Sequence, residues 1–333
     1  MIDDLRNPSI CPEKTDKITL VQTHISMVFI GDKFVYKIKK PVNFGFLDFS
    51  TLDKRKFYCE KEVELNNRFS KGVYLGVYPI TFDGIKYIID GKGEIVDYAV
   101  KMKRLSDEDL LKTRFIKGNV TIDDIKRIGE AIAAFHKESK KSKEIDKFGS
   151  IDIQKITTDE NFEQTEEFIE GSISKKQYND LKNWTNSFYI KNKDLFAQRT
   201  KEGKIRDCHG DLHMEHICLT KPIIIFDCIE FNERFRYIDT LSEIAFLLMD
   251  LEFNGGYKLS KGLCKIYLKE AGEKEDKSIM ELITFYKVYR AYVRGKVTSF
   301  LLKDKNIPEN KKIEARKKAQ KYFVLAHSYI SNQ

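Results

Sequence analysis

A chain of 333 residues, 41% hydrophobic and 33% charged, has the composition of an ordinary soluble globular protein, with room for one large domain or two lobes. Its net charge of +8 comes largely from lysines scattered over helical stretches, and no basic cluster is interleaved with aromatics, so no nucleic-acid partner is expected. The longest apolar runs are too short to span a bilayer and the polar segment 1–14 reads as no signal peptide, while six cysteines without a C-x-x-C pair read as reduced thiols, which together place the chain in the cytoplasm, away from membranes.

Residues 27–30 and 33–39 read as two strands joined by Gly31-Asp32, a two-residue hairpin signal. Ser50 or Thr51 caps a helix over about 52–69, with Asp53 in its first turn. Two further strands are expected at 85–89 and 96–103, separated by the turn at 91–93. Beyond Leu105 the periodicity becomes helical. Thr121 caps a helix in which Ile122, Ile125, Ile128, Ile132 and Phe135 recur at helical spacing, and another helix is expected over about 175–200, after the acidic stretch 159–170. A short strand-rich interval, 217–219 and 223–226, precedes helices at 239–251, 258–271, 277–302 and 311–331. Strands first and helices second make an α+β chain of two lobes, 1–103 and 104–333.

The most informative segment is His209-Gly210-Asp211-Leu212-His213, followed by Ile223-Ile224-Ile225-Phe226-Asp227. A glycine-containing loop exposes the Asp211 carboxylate, and an apolar strand ending in Asp227 holds a second carboxylate rigidly. Phosphoryl transfer to a hydroxyl needs little more: a carboxylate near the incoming hydroxyl, ligands for a divalent ion, and a cation on the other phosphates.

These residues resemble the aminoglycoside phosphotransferase-like kinases, which share the protein-kinase fold with choline kinase and related small-molecule kinases. Val35-Tyr36-Lys37 is similar to the family's third-strand lysine motif, Glu62 to its ion-pair partner, and 128–136 to the helix before the catalytic loop. The stretch 23–49, with Lys40-Pro41-Val42-Asn43-Phe44-Gly45-Phe46, is most similar to a poorly characterised bacterial subgroup, some of whose members carry a further C-terminal P-loop domain. The resemblance implies a two-lobed fold, with a small N-terminal antiparallel-sheet lobe for nucleotide and a larger helical C-terminal lobe for metal and substrate. It implies ATP and Mg²⁺ as cofactors, with Mn²⁺ as an alternative ion, and a small-molecule hydroxyl as substrate. Lys37 would contact the phosphates and pair with Glu62, Asp211 would be the base, and Asp227 would hold the metal. His209 and Glu243 would support the loop, Glu243 standing where the family usually has an Asp. His216 replaces the family's second metal ligand, an Asn, and Glu230 is the candidate for supplying the missing oxygen. No G-x-G-x-x-G loop precedes Lys37, so 22–26, including Ser26, would take the phosphates with backbone N–H groups and hydroxyls. The adenine would lie against 98–103, with hinge contacts around Met102 and Arg104.

Several assignments have competitors. Lys39 shares the strand face of Lys37, and Glu60 and Glu64 share the helix of Glu62, although only Glu62 lies on its apolar stripe. Three His and three Cys between Cys208 and Cys228 admit a zinc site, against the blander reading of buried thiols. The helix around 286–296, with Arg290, Arg294 and Lys296, either holds an anionic substrate group or is an ordinary amphipathic helix. Between Asp207 and Glu252, ten acidic residues face three basic ones, an excess that would attract a cationic acceptor such as an amino sugar or amino alcohol. A protein Ser/Thr substrate satisfies the same chemistry, and a degenerate, nucleotide-binding regulatory module is the alternative to an enzyme.

Overall fold

The computed structural model describes residues 1–304 and 307–331. Contacts group the chain into two compact units, Met1–Gly118 with Glu215–Phe235, and Asn119–Met214 with Arg236–Gln333.

The first unit is built on a six-stranded antiparallel sheet in the order β1-β2-β3-β6-β4-β5. Its strands are β1 (Thr19–Gln22), β2 (Ser26–Ile30), β3 (Phe34–Lys39), β4 (Tyr74–Phe82), β5 (Tyr87–Ile89) and β6 (Glu94–Lys103). Alternation along β3 sends Tyr36 and Ile38 into a core with Leu5, Met27, Phe29, Ile80 and Ala99. Val35, Lys37 and Lys39 therefore share the other face. There the helix Leu52–Asn66 buries Arg55, Cys59, Glu62, Leu65 and Asn66 along one stripe, with Cys59 against Val73, Tyr74 and Val100. Thr51 caps that helix, its hydroxyl accepting from Lys54 N–H at 3.3 Å. The hairpin loop between β2 and β3 holds Gly31, Asp32 and Lys33, one residue more than expected. Two short strands of the same unit, β8 (Ile217–Cys218) and β9 (Ile224–Ile225), pair antiparallel and deliver Asp227.

The second unit is helical apart from β7 (Ile205–Asp207) and β10 (Tyr237–Asp239), which pair antiparallel. Thr121 closes a full capping box with Asp124 at the start of the helix Ile122–Glu138. The helix expected over 175–200 is two, Lys175–Lys191 and Lys193–Lys201, interrupted at Asn192, and the acidic stretch before them belongs partly to a helix Ile151–Thr165. Asp239 caps Thr240–Phe253, a helix buried over nearly its whole length. Phe246 and Met249 from it meet Val288 and Tyr292 of the helix Lys277–Phe300, and Tyr322 and Phe323 of the helix Glu309–Ser331. Gly295 permits this close approach, since a Cβ there would stand 2.8 Å from the Phe323 ring. Among the described residues, no helix is long and apolar enough to cross a membrane.

Candidate active site

In the first unit, β3 presents two lysines to one buried carboxylate. Lys37 Nζ lies 2.9 Å from Glu62 Oε1 and 2.5 Å from Asp227 Oδ1. Lys39 Nζ lies 2.7 Å from Glu62 Oε2 and also pairs with Glu230. Asp227, Lys37, Glu62, Lys39 and Glu230 thus form one alternating row of charge. Glu62 is 0% and Lys39 1% exposed, and charges so buried persist only when paired. Burial pushes Glu62 up, yet Lys37 and Lys39 hold it below the usual carboxylate range. Burial lowers Lys37, and Asp227, Glu62 and Glu230 together hold it well above its ordinary value. Glu230 is raised, burial outweighing Lys39. The expectation that Glu230 offers an oxygen to metal is corrected here: its carboxylate is buried against Lys39. Glu60 is exposed and Glu64 pairs with Lys61, which leaves Glu62 as the inward carboxylate of its helix.

Asp227 has φ of 64°, a left-handed conformation that costs a non-glycine residue on the order of 1–3 kcal/mol and clusters at functional sites. Its surroundings hold it there. Asp227 N–H donates to the Tyr74 hydroxyl at 3.0 Å, and Cys228 N–H donates to Asn66 Oδ1 at 2.9 Å. Asn66 Nδ2 in turn donates to the Glu62 carbonyl at 2.8 Å. The Asp227 side chain remains 39% exposed, with Oδ2 3.5 Å from His216 Nε2. A half-exposed carboxylate oxygen suits Mg²⁺, and a neighbouring imidazole nitrogen suits Mn²⁺ better. The donor set therefore fits a divalent ion, which Asp227 and His216 could hold together.

In the second unit, β7 leads into the loop His209-Gly210-Asp211. Glu243 accepts from His209 N–H at 2.8 Å through Oε2 and from Gly210 N–H at 2.6 Å through Oε1. The same carboxylate meets His136 Nε2 at 3.0 Å, while His136 Nδ1 meets the Tyr267 hydroxyl at 2.7 Å. Burial pushes Glu243 up, but these bonds and the histidines hold it at about 2. From the other side, Arg290 donates to the Gly210 carbonyl at 3.0 Å and the Ser242 carbonyl at 3.3 Å. Gly210 has φ of 88°, so glycine is required between the two clamps. Asp211 N–H donates to His209 Nδ1 at 3.2 Å, which fixes that nitrogen as an acceptor. The Asp211 side chain stays 33% exposed, 3.5 Å from His213 Nε2.

No family model matches the chain. A choline kinase from Cryptosporidium parvum is similar over 98% of this chain and 93% of its own, with a TM-score of 0.58 and 10% identity. A GDP complex of aminoglycoside 2'-phosphotransferase-IIIa is similar over 94% of each chain, with a TM-score of 0.54 and 11% identity. A choline/ethanolamine kinase family protein from Mesorhizobium loti matches 100% of this chain and 99% of its own, at 0.53 and 11%. The fold is that of the aminoglycoside phosphotransferase-like kinases. In sequence, uncharacterized proteins of Mycobacterium bovis and Mycobacterium tuberculosis are 29% identical over 317 residues, or 95% of this chain. The chain spans 60% of the length of these relatives.

Within this kinase-like fold, two expectations change. In the turn 22–26 three of the N–H groups are already engaged: Thr23 N–H donates to the Ser26 carbonyl, and Ile25 and Ser26 N–H to Thr23 Oγ1. The Ser26 hydroxyl is 2% exposed and without a hydrogen-bond partner among the described residues. At the hinge, Met102 pairs with Val35 and Tyr74 inside the sheet, and Arg104 N–H donates to the Lys33 carbonyl at 2.9 Å. That donor is closed to a base. The proposed anion-binding face of the helix Lys277–Phe300 is also largely engaged, Arg290 by the loop and Lys296 by Asn161 and Gln164. Among the described residues the six cysteines form no disulfide, and in the group His136, Cys208 and Glu243 both imidazole nitrogens already have partners. Arg290 as a loop clamp, and the strands β1 and β4, were not legible from sequence.

Proposed function

We propose that this chain is an ATP-dependent phosphotransferase that moves the γ-phosphate to a hydroxyl of a small molecule. The observation that carries the reading is Lys37 seated between Glu62 and Asp227, a cation held ready for phosphate beside a carboxylate ready for metal. Residues 1–103 would take the nucleotide and 104–333 the acceptor. Lys37 would exchange Asp227 for the α- and β-phosphates, with Ser26 Oγ as a further donor and the base against β6 near Met102. Asp227 and His216 would hold Mg²⁺ or Mn²⁺, which when bound supplies positive charge to the phosphate oxygens. Asp211 would accept the proton of the acceptor hydroxyl while its oxygen forms the new P–O bond. The bond from the γ-phosphorus to its bridging oxygen breaks, and ADP leaves with that electron pair. Glu243 and Arg290 keep Asp211 in place by fixing the two backbone units before it.

The acceptor class favoured is a cationic amino sugar or amino alcohol. The likeness to a choline kinase and to a GDP and kanamycin complex of an aminoglycoside phosphotransferase supports it. A second reading is a degenerate kinase that binds nucleotide without turnover, favoured by His216 and by the closed turn 22–26. Thermal unfolding with ATP, ADP or GTP, each with and without Mg²⁺ or Mn²⁺, tests both. Metal-dependent stabilisation followed by phosphate transfer to an amino alcohol or aminoglycoside supports the enzyme. Stabilisation without transfer to any hydroxyl acceptor supports the degenerate module, and no stabilisation refutes both.

A further inference from the structure

Lys39 has no task in the reaction just described, yet it is among the most deeply buried cations of the chain, 1% exposed. It touches both neighbours of consequence. One is the second oxygen of Glu62, whose first oxygen faces Lys37. The other is Glu230, three residues beyond Asp227. The Phe49 ring, 0% exposed, lies 4.8 Å from the ammonium and closes the pair against water.

This arrangement answers an electrostatic difficulty. When Lys37 exchanges Asp227 for a nucleotide phosphate, its single positive charge is divided between that phosphate and Glu62, and one shared cation is a poor match for a carboxylate so deeply buried. Lys39 keeps Glu62 paired during that exchange. Through Glu230 it also ties the far end of the segment 227–230 to β3, while Asn66 ties its middle to the helix. Asp227 is then held in its left-handed conformation after Lys37 has let go.

Resting on the phosphotransferase reading, we propose that Lys39 and Glu230 are positioning residues: they neutralise Glu62 and anchor the Asp227 segment so that Lys37 is free to bind phosphate. Lys39 acts through Glu62, and a double-mutant cycle on the full chain measures that dependence. Mg-ADP binding is read by calorimetry for the native protein, Lys39→Met, Glu62→Gln and the double variant, with kcat and KM alongside. Lys39→Met is expected to weaken Mg-ADP about tenfold when Glu62 is present, because Glu62 then holds Lys37 back, and less than about twofold in the Glu62→Gln background. Lys39→Arg, which keeps the charge, is expected to retain binding within about threefold and serves if Lys39→Met does not fold. Equal losses in both backgrounds, or a loss with Lys39→Arg as large as with Lys39→Met, overturn the proposal. A native protein that binds no Mg-ADP refutes the phosphotransferase reading itself, whereas normal native binding with an additive cycle refutes only the role of Lys39.

Discussion

Glu243→Gln is a direct test of how the loop His209-Gly210-Asp211 is held. Glu243 is 1% exposed, and its two oxygens serve His209 N–H, Gly210 N–H and His136. An amide offers one oxygen and one NH₂, so at least one of these donors would face another donor. Losing a hydrogen bond to a buried charged group costs about 1.5–3 kcal/mol. The depressed ionisation of Glu243 gives a second figure. Its folded value of about 2 against an ordinary 4.5 corresponds to a contribution of about 3 kcal/mol at neutral pH. Because the folded value is the depressed one, this stability is complete above about pH 4.5 and declines as pH falls toward 2. Near pH 3 roughly half should remain, about 1.4 kcal/mol. Urea unfolding of the native chain and Glu243→Gln at pH 7, 5, 4 and 3 measures the gap between them, and carboxylates common to both cancel. A gap below about 1 kcal/mol at pH 7, or one as large at pH 3 as at pH 7, would falsify the account of Glu243 as an ionised brace.

Lys37→Ala should abolish tight nucleotide binding yet leave the fold intact, since Lys39 still holds Glu62, whereas Lys39→Ala should destabilise the chain by about 3–5 kcal/mol by stranding the buried Glu230 carboxylate and leaving Glu62 to Lys37 alone; calorimetry and urea unfolding separate the two. Asp227→Ala should remove metal-dependent nucleotide binding and turnover together. Asp211→Asn should leave Mg-ATP affinity nearly unchanged and slow transfer by roughly 10²–10⁴-fold, and full activity in this variant would dismiss Asp211 as base. His216→Asn should preserve activity with Mg²⁺ and lose any preference for Mn²⁺, which steady-state rates with each ion would reveal.

The parts of the site that sequence disclosed are those where chemistry demands a residue type at a chain position. His209-Gly210-Asp211 and the apolar run ending in Asp227 have that character, and so has Glu62, whose place on the apolar stripe follows from helical period alone. The choice between Lys37 and Lys39 had no such signal, because a strand places both on one face and only the third dimension shows that Glu62 takes both. β4 was hidden by Gly76 and Pro79, residues that argue against a central strand; the register shift between Tyr74 and Gly76 is how the sheet accommodates the glycine. The break at Asn192 was invisible for the opposite reason, since the residues on both sides form helices well and the break lies in backbone angles.

The acidic interval shows where counting charges misleads. Of its ten carboxylates, Asp207 is bound to Arg236, Asp239 to Arg199, Asp227 to Lys37, and Glu230 to Lys39. Glu243 and Asp250 accept from backbone N–H groups of the segment 209–214, and Glu252 is held by Ser260, Lys287 and Tyr329. Several of the cations involved lie outside the interval, at Lys37, Lys39, Arg199 and Lys287, so a window along the chain counts the anions and misses their partners. A buried, paired carboxylate contributes little field at a distance, because its counter-ion cancels it within a few ångströms. The surplus of negative charge is therefore mainly the means by which the Asp211 loop and the Asp227 segment are held rigid. Preference for a cationic acceptor must come from the few carboxylate oxygens still open to solvent, among them those of Asp211, Asp227, Glu215 and Glu233, and from the shape of what surrounds them. The same charges that looked like bait for a substrate are the scaffold of the loop 209–214 and of the segment 227–230.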